Sequence, residues 1–260
     1  MSEIDQKELT LLAAMAYGES YYKNDNYEEM AGIASVLIRQ REARGYSSMQ
    51  QFTKSEPTYS FVVKDGNPRY GQLIKTTEAE VNKTTEDATA QLEAVSLEAE
   101  TLKNQLETEH DKKKAAAIKK QIESKETLKN KMHRIISGNA GRVMAYKAAR
   151  NALEGGADYS AGAYFWDGWD VKTNNSNHPK VKRGIKITDP SHNVFGIQDN
   201  LVVVIKYKIV TTTKGEKSTK TKEEVGRYDH LYESSAGHGG TIFWKFNPEY
   251  LKLEGAKEYK

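Results

Sequence analysis

One carboxylate near the N-terminus stands where a helix would bury it. The apolar run that begins at Leu9 predicts a helix that stops at Gly18 and then presents Glu19. Leu12, Ala16 and Glu19 are spaced so that their side chains share one helical face. Burial on that face and the negative end of the helix dipole both favour the protonated carboxyl near neutral pH. A carboxylic acid with a raised pKa is the group that general-acid cleavage of a glycosidic bond requires.

Two other interpretations of Glu19 stay open on the pattern alone, because the carboxylate could instead reach solvent or pair with an arginine. An ordinary retaining or inverting glycosidase would also need a second carboxylate. No other acid lies in a comparably apolar setting, and the remaining candidates have the patterns of caps, turns or surface groups: Glu28, Asp167, Asp170 and Asp189. The sequence therefore predicts a lone general acid.

Aromatic residues in two later segments are candidates for the walls of a sugar-binding groove. The irregular stretch 50–71 is rich in rings, and so is the strand-like run 161–169. Core packing is the competing explanation for each ring. The candidates for contact with the substrate are Tyr59, Ser60, Phe61, Tyr164, Trp166, Trp169, His192 and Asn193.

Composition argues against several other kinds of chemistry. The 260 residues include no cysteine, so disulfides, thiolate nucleophiles and thiolate metal sites are excluded. The histidines show no metal-ligand spacing, and the run 237–240 lacks the context of a phosphate-binding loop, so we expect no metal and no cofactor. A net charge of +3 suits an anionic partner without requiring one, and nucleic acid is not the partner we expect.

The elements that must position Glu19 are predicted to be mainly helical. Amphipathic helices are expected at about 5–18, 27–44 and 140–153. Strands are expected at 201–213, 219–228 and 241–246, with a turn at 214–217 between the first two. The pattern indicates a small antiparallel sheet late in a chain that is otherwise α-helical.

Composition changes sharply near residue 76. Residues 77–132 contain no Gly, Pro or aromatic residue, and their apolar side chains recur at the alternating spacing of a coiled coil. The polar run 107–114 is the expected turn, so we predict an antiparallel helical hairpin with arms of roughly 40 Å. A single long helix that dimerises is the alternative. Because globular sequence resumes afterwards, the segment is interpreted as an insertion.

Four motifs that occur in order resemble those of the cell-wall hydrolase family that includes the spore-cortex-lytic (SleB-like) enzymes. The first two correspond to a helix that ends in the catalytic acid and to the helix after it. The third is a helix end followed by a Gly-Ala-x-Tyr-Phe-like run, and the fourth is a His-x-Phe element. The matching segments are Leu12–Glu19, Tyr27–Val36, Ala148–Gly155 with Gly162–Phe165, and His192–Phe195.

The resemblance implies a lysozyme-like catalytic domain that cleaves peptidoglycan between N-acetylmuramic acid and N-acetylglucosamine, with Glu19 as the catalytic glutamate. Arg39 and Gln40 replace the Asn-Arg pair that commonly closes the second helix of the family. Many members are lytic transglycosylases, which need only one acid. That acid protonates the leaving oxygen and then accepts the proton of the sugar's C6 hydroxyl. We therefore favour transglycosylation over hydrolysis by a muramidase.

Taken together, the sequence predicts an α+β fold, mainly α, with a lysozyme-like helical catalytic domain, an inserted helical coiled-coil hairpin and a small C-terminal antiparallel sheet. The catalytic domain is expected at 1–75 and 133–200, the hairpin at 76–132, and a β-rich part packed on the catalytic domain at 201–260. Two alternative functions stay open: a phage endolysin, and a non-enzymatic adaptor protein that acts through the coiled coil.

The acidic N-terminal segment has neither the basic region nor the apolar run of a secretory signal peptide. No window approaches the roughly 20 apolar residues of a membrane span. We therefore expect synthesis in the cytoplasm and action in the periplasm or cell wall of a target cell, reached by a specialised route such as type VI secretion. Peptidoglycan strands, an immunity protein and a component of the secretion apparatus are the partners expected.

Overall fold

The computed structural model describes residues 4–59, 61–214 and 217–260, and most of them are helical. The α-helices of these ranges are α1 (Gln6–Glu19), α2 (Tyr27–Ala43), α3 (Met49–Ser55), α4 (Pro68–Leu73), α5 (Glu78–Thr108), α6 (Lys112–Leu153), α7 (Asp170–Asn174), α8 (Pro179–Arg183) and α9 (Pro248–Glu254). The strands are β1 (Phe165–Asp167), β2 (Ile185–Lys186), β3 (Val204–Lys214), β4 (Lys217–Tyr228), β5 (Tyr232–His238) and β6 (Thr241–Phe246). The predicted α+β class, mainly α, is confirmed. None of the described helices combines the length and the hydropathy that crossing a bilayer requires.

Helix α1 forms the centre of the core. The side chain of Asp5 caps its first turn by accepting the backbone N–H of Lys7, and nearly every residue from Leu9 to Tyr17 is buried. It packs against α2, α4 and the C-terminal half of α6. The inward positions of α6 are alanines, as the sequence predicted, and small side chains allow the helix axes to approach closely.

The end of α1 differs from the prediction for a steric reason. The helix continues through Gly18 to Glu19, and the backbone N–H of Ser20 closes it on the carbonyl of Ala16. A Cβ at Gly18 would lie 2.5 Å from Cγ2 of Val62. Glycine is needed here so that the segment after α3 can approach the helix, and it is not the left-handed residue that would end one.

The predicted antiparallel hairpin is confirmed, with α5 and α6 as its arms and a turn between Thr108 and Lys112. Helix α5 has 31 residues and is therefore about 46 Å long. One expectation is corrected, because the helix predicted at 140–153 is the C-terminal end of α6 and not a separate element. A single 42-residue helix thus runs from the turn of the hairpin into the core.

The base of the hairpin is fastened to the core. Thr77 and Glu80 form a capping box at the start of α5, Val81 belongs to the main apolar core, and Asn139 donates to the hydroxyl of Thr85 at 3.1 Å. Beyond this base the arms pack on each other, and most of their residues are exposed. The distal part of the hairpin therefore contributes little to the core.

We expect the distal hairpin to be dispensable for folding. Removing residues 92–131 and joining Gln91 to Met132 through a short Gly/Ser bridge should leave a protein that melts cooperatively, with a Tm within a few degrees of the full chain. Circular dichroism during thermal melting is the measurement. Removing the whole of 77–132 should cost more stability, because that deletion also takes the Val81 contacts. Loss of cooperative melting in the shorter deletion would show that the distal arms support the core.

The strands form one four-stranded sheet in the order β1-β6-β5-β2 and a separate ribbon of β3 and β4. The predicted strand pair of the ribbon and the last strand are confirmed, but β6 lies between β1 and β5. One face of this sheet packs on the helical core. The ring of Phe243 lies against Gly32 of α2, and a Cβ at Gly32 would be 2.5 Å from that ring. The other face covers a second apolar cluster around Trp244. The C-terminal strand β6 therefore holds β1 in place against the helices.

Candidate functional site

Glu19 lies at the C-terminal end of α1 and lines a cleft of about 320 Å³. The opposite walls come from the segment between α3 and α4, which includes Tyr59 and Phe61, and from β1, which includes Trp166. Acidic groups and a single lysine complete the lining, namely Asp65, Asp167, Asp170 and Lys180.

A second cleft of about 370 Å³ adjoins the first. It shares Glu19 and Gly168 with the first cleft and is otherwise lined by residues that include Tyr21, Tyr22 and Trp169. Tyr22 is 72% exposed and Trp169 is 48% exposed, so both rings are accessible to a ligand. Glu19 thus stands at the junction of two adjacent clefts, each with aromatic side chains.

The surroundings of Glu19 favour its protonated form. Burial raises the pKa of its carboxyl from 4.5 to about 7, and the negative charge of Asp65 adds to the increase. Hydrogen bonds from the Trp166 side chain and from the backbone N–H of Val62 act in the opposite direction, and Asp170 raises the pKa slightly. Within the described ranges Glu19 forms no ion pair, which removes the arginine-paired alternative.

The charge of Asp65 gives a test of these electrostatics. Asp65→Asn should lower the pKa of Glu19, because the like charge that favours the protonated form is gone. The Asn side chain can still accept the backbone N–H of Asn67, which Asp65 binds at 2.8 Å. We expect the fraction of protonated Glu19 at pH 7 to fall about two- to fivefold, as measured by carbon-13 NMR of the carboxyl carbon. Asp87→Asn on the exposed hairpin is the control, and an equal change in both variants would contradict the assignment.

Two of the predicted rings are held rigidly beside Glu19. The ring centroids of Tyr59 and Trp166 are 6.0 Å apart, and the Tyr59 hydroxyl accepts a hydrogen bond of 2.6 Å from Nε2 of Gln40. Burial raises the pKa of Tyr59 to about 12, so the hydroxyl stays neutral. Gln40 is fully buried and also donates to the carbonyl of Tyr164, which precedes β1. It therefore ties both walls of the first cleft to α2.

Other predicted contacts lie elsewhere. Tyr164, His192 and Asn193 line neither cleft. The Tyr164 ring lies against the Arg39 guanidinium, His192 Nδ1 is 3.0 Å from the hydroxyl of Ser234, and Asn193 bonds the backbone of residue 197. Phe61 is at the rim of the first cleft and 68% exposed, and Ser60 lies outside the described residues.

The prediction for Asp167 was wrong, because it is neither a cap nor a surface group. It ends β1, it is only 9% exposed, and it lines the same cleft as Glu19. Its Oδ1 accepts a hydrogen bond of 2.6 Å from Nζ of Lys180, whereas its Oδ2 is buried without a hydrogen-bond partner among the described residues. Burial raises the pKa of Asp167, and the Lys180 ammonium opposes that increase. Nothing local in the sequence distinguishes this aspartate from a turn residue.

Glu29 is a second buried acid that the sequence analysis missed. Its Oε1 accepts hydrogen bonds from the backbone N–H of Tyr21 at 3.1 Å, the backbone N–H of Gly240 at 3.2 Å and the Thr241 hydroxyl at 2.7 Å. Tyr21 and Gly240 both line the second cleft, so Glu29 fixes that wall. Burial raises the pKa of Glu29. Its position three residues after Asn26, at a helix start, is typical of a cap and gives no hint of this role.

Asp167, Asp170 and His178 lie close enough together to be considered as metal ligands, with candidate ligand atoms within 4.8 Å of one another. The Lys180 ammonium already supplies a positive charge to Asp167, and His178 Nε2 is 3.2 Å from Oδ2 of Asp170. These contacts engage one oxygen of each carboxylate, whereas Oδ2 of Asp167 and Nδ1 of His178 are buried without a hydrogen-bond partner among the described residues. The expectation of no metal stays a prediction.

Comparison of the chain with protein-family models, with curated proteins and with solved structures finds no match in any of the three. The resemblance to the cell-wall hydrolases stays a prediction, and the geometry around Glu19 is the basis for assigning a function.

Proposed function

We propose that the protein cleaves the glycan strands of peptidoglycan, with Glu19 as the general acid. The observation that carries this proposal is a carboxyl with a pKa of about 7 at the junction of two aromatic-lined clefts. A general acid is most effective when its pKa lies near the working pH, because it is then protonated and still able to give up the proton. In this proposal the helical region around α1 and α2 is a lysozyme-like catalytic domain.

The two clefts suit a polymer that is cut internally. A strand that crosses Glu19 would place sugar rings on both sides of the scissile bond, beside Trp166 and Phe61 in one cleft and Trp169 and Tyr22 in the other. Rings of this kind offer apolar faces to sugars, and ligand sites combine such rings with a few polar groups that fix orientation. The substrate class proposed is therefore an extended glycan and not a small metabolite.

The proposed reaction begins with proton transfer from Glu19 to the glycosidic oxygen, as the bond to the leaving sugar breaks. The carboxylate that results accepts the proton of the C6 hydroxyl of the muramic acid, and that oxygen closes a 1,6-anhydro ring on C1. Trp166 and Val62 line the cleft beside the carboxyl, and as hydrogen-bond donors they favour the carboxylate that forms in the first step. This reaction requires no second carboxylate, and it consumes no water molecule.

Hydrolysis is the second candidate, and Asp167 is the observation that favours it. A muramidase needs a second carboxylate in the same cleft, and Asp167 lies there. Its Oδ1 is engaged by Lys180, which leaves only the buried Oδ2 for such a role. We therefore place transglycosylation first.

The masses of the products decide between these reactions. Purified protein is mixed with peptidoglycan sacculi, and the soluble fragments are weighed by mass spectrometry. Anhydro-muropeptides would support transglycosylation, and fragments heavier by one water would indicate hydrolysis. If no fragments are released by the wild-type protein, the enzymatic proposal fails, and the adaptor alternative acting through the hairpin is favoured.

The proposed function also includes the way in which the protein reaches the cell wall. We propose that the protein acts on the wall of a target cell as an antibacterial effector, and that the hairpin is a docking arm for the secretion apparatus or an immunity protein. The distal hairpin supports this role, because it projects from the core and exposes most of its surface. Co-purification of the hairpin-deleted protein with either partner would contradict that role of the hairpin.

A further inference from the structure

Lys180 lies at the free edge of the strand that carries Trp166. Strand β1 pairs with β6 on one side, and no described strand covers its other side. Nζ of Lys180 donates to the carbonyl of Trp166 at 3.2 Å and to Oδ1 of Asp167 at 2.6 Å. One ammonium from α8 therefore joins two successive residues of an edge strand only three residues long.

The ammonium is firmly held in this position. The Lys180 side chain is only 17% exposed, and its Nζ lies 5.7 Å from the ring centroid of Tyr232 and 5.9 Å from that of Phe165. His178 also faces Asp167, with Nε2 3.6 Å from Oδ1, and Asp170 lies beyond it. A buried pair of this kind is costly to break, because the remaining partner is left as an uncompensated charge.

Trp166 connects this pair to Glu19. Trp166 and Glu19 line the same cleft, the Trp166 side chain lowers the pKa of the Glu19 carboxyl as a hydrogen-bond donor, and the indole ring packs against Tyr59. The position of the indole depends on where the β1 backbone lies. That backbone is bonded to β6 through the Trp166–Phe243 pair on one side and to Lys180 on the other.

We propose that Lys180 is a positioning residue: together with Asp167 it fixes the free edge of β1, so that the indole of Trp166 stays in the cleft beside Glu19. The effect on catalysis rests on the proposed function, whereas the effect on Glu19 itself does not. If the support is lost, the indole moves away from Glu19, and the Trp166 side chain no longer favours the ionised carboxylate. The pKa of Glu19 then rises, and the proton is delivered with poorer orientation.

The test removes the pair without leaving a buried charge. The full-length double variant Lys180→Met/Asp167→Asn is labelled for carbon-13 NMR, and the carboxyl of Glu19 is titrated, with Glu19→Gln used for assignment. We expect the titration midpoint to move to higher pH than in the wild type. Trp166→Phe, which lacks the donor, should shift it in the same direction. Lys182→Met, on the same helix, is the matched control and should leave the midpoint unchanged.

A combined variant distinguishes positioning from a direct effect of charge. If Lys180 acts through Trp166, adding Lys180→Met/Asp167→Asn to Trp166→Phe should shift the midpoint no further than Trp166→Phe alone. Additive shifts, or an unchanged midpoint in the double variant, would overturn the proposal. Lys180→Arg, which keeps the charge and the donors, should retain the wild-type midpoint. If the double variant does not melt cooperatively, Lys180→Gln/Asp167→Asn, which also leaves no buried charge, takes its place in the same comparisons.

Glycan release is measured in parallel and answers a different question. The double variant should release fragments from sacculi roughly 10- to 100-fold more slowly than the wild type, because a small misplacement of a catalytic group lowers the rate of the chemical step strongly. A shifted midpoint with no release by any variant, wild type included, would reject the proposed function and leave the positioning role standing. Wild-type release with additive midpoint shifts would reject the positioning role alone.

Discussion

Glu19→Gln is expected to lower the rate of glycan release from sacculi by about 10²- to 10⁴-fold, the usual contribution of one general acid. Glutamine keeps the size of the side chain and an acceptor oxygen, but it has no acidic proton to transfer. The wild-type rate should fall as the pH rises through about 7, because the protonated carboxyl is the active form and its pKa is about 7. Mass spectrometry of fragments released over time, from pH 5 to pH 9, is the measurement.

Glu42→Gln is the matched control for that experiment. Glu42 is an exposed glutamate on α2, and its substitution should leave the rate within a factor of about two. Equal rates in the wild type and in Glu19→Gln would remove Glu19 from the mechanism, even if fragments are released. A rate that rises with pH through 7 would contradict a general acid and indicate a base.

The same carboxyl should make the stability of the protein depend on pH. The pKa of Glu19 is about 7 in the folded protein and 4.5 in the reference state, so the folded state binds more protons between these values. The stability associated with the protonated form is fully present below pH 4.5 and is lost as the pH rises through 7. A difference of this size corresponds to about 3 kcal/mol of unfolding free energy. Glu19→Gln has no such loss, because its side chain does not titrate.

Urea unfolding of both proteins at pH 4, 6 and 8 measures this effect. The unfolding free energy of Glu19→Gln relative to the wild type should increase by up to about 3 kcal/mol between pH 4 and pH 8. Glu29 and Asp167 are also buried acids with raised pKa values, but they are present in both proteins, so their contributions cancel in the difference. A difference that stays constant over this pH range would show that the carboxyl is solvated in the folded protein. This measurement requires no substrate and no activity.

Local patterns were sufficient for the helices and the hairpin. The apolar stripe of α1 and the absence of Gly and Pro from 77–132 act within a few turns of the chain, and the structure agrees with them. The same kind of pattern failed at Gly18. A glycine at this position is typical of a helix end, but Gly18 is needed because Val62 packs too closely for a larger side chain. No local sequence pattern predicts that Val62 lies there.

The contacts of the walls could not be predicted, because they join distant parts of the chain. Gln40 was noted only as a departure from a family motif, yet it ties Tyr59 and β1 to α2. His192 belongs to a motif that resembles a catalytic family, but its side chain bonds Ser234 away from both clefts. Residue type and spacing cannot distinguish a wall of a cleft from a support behind it.

The sequence by itself determined that an acidic residue ends an apolar helix, and therefore that its carboxyl would be poorly solvated. Only the tertiary structure decided what surrounds that carboxyl. The donor from Trp166, the charge of Asp65 and the buried pair of Asp167 with Lys180 all come from segments far along the chain. The physical reason is that burial follows from the local pattern of one helix, whereas the orientation and the pKa of a buried group depend on the charges and dipoles that the fold brings to it.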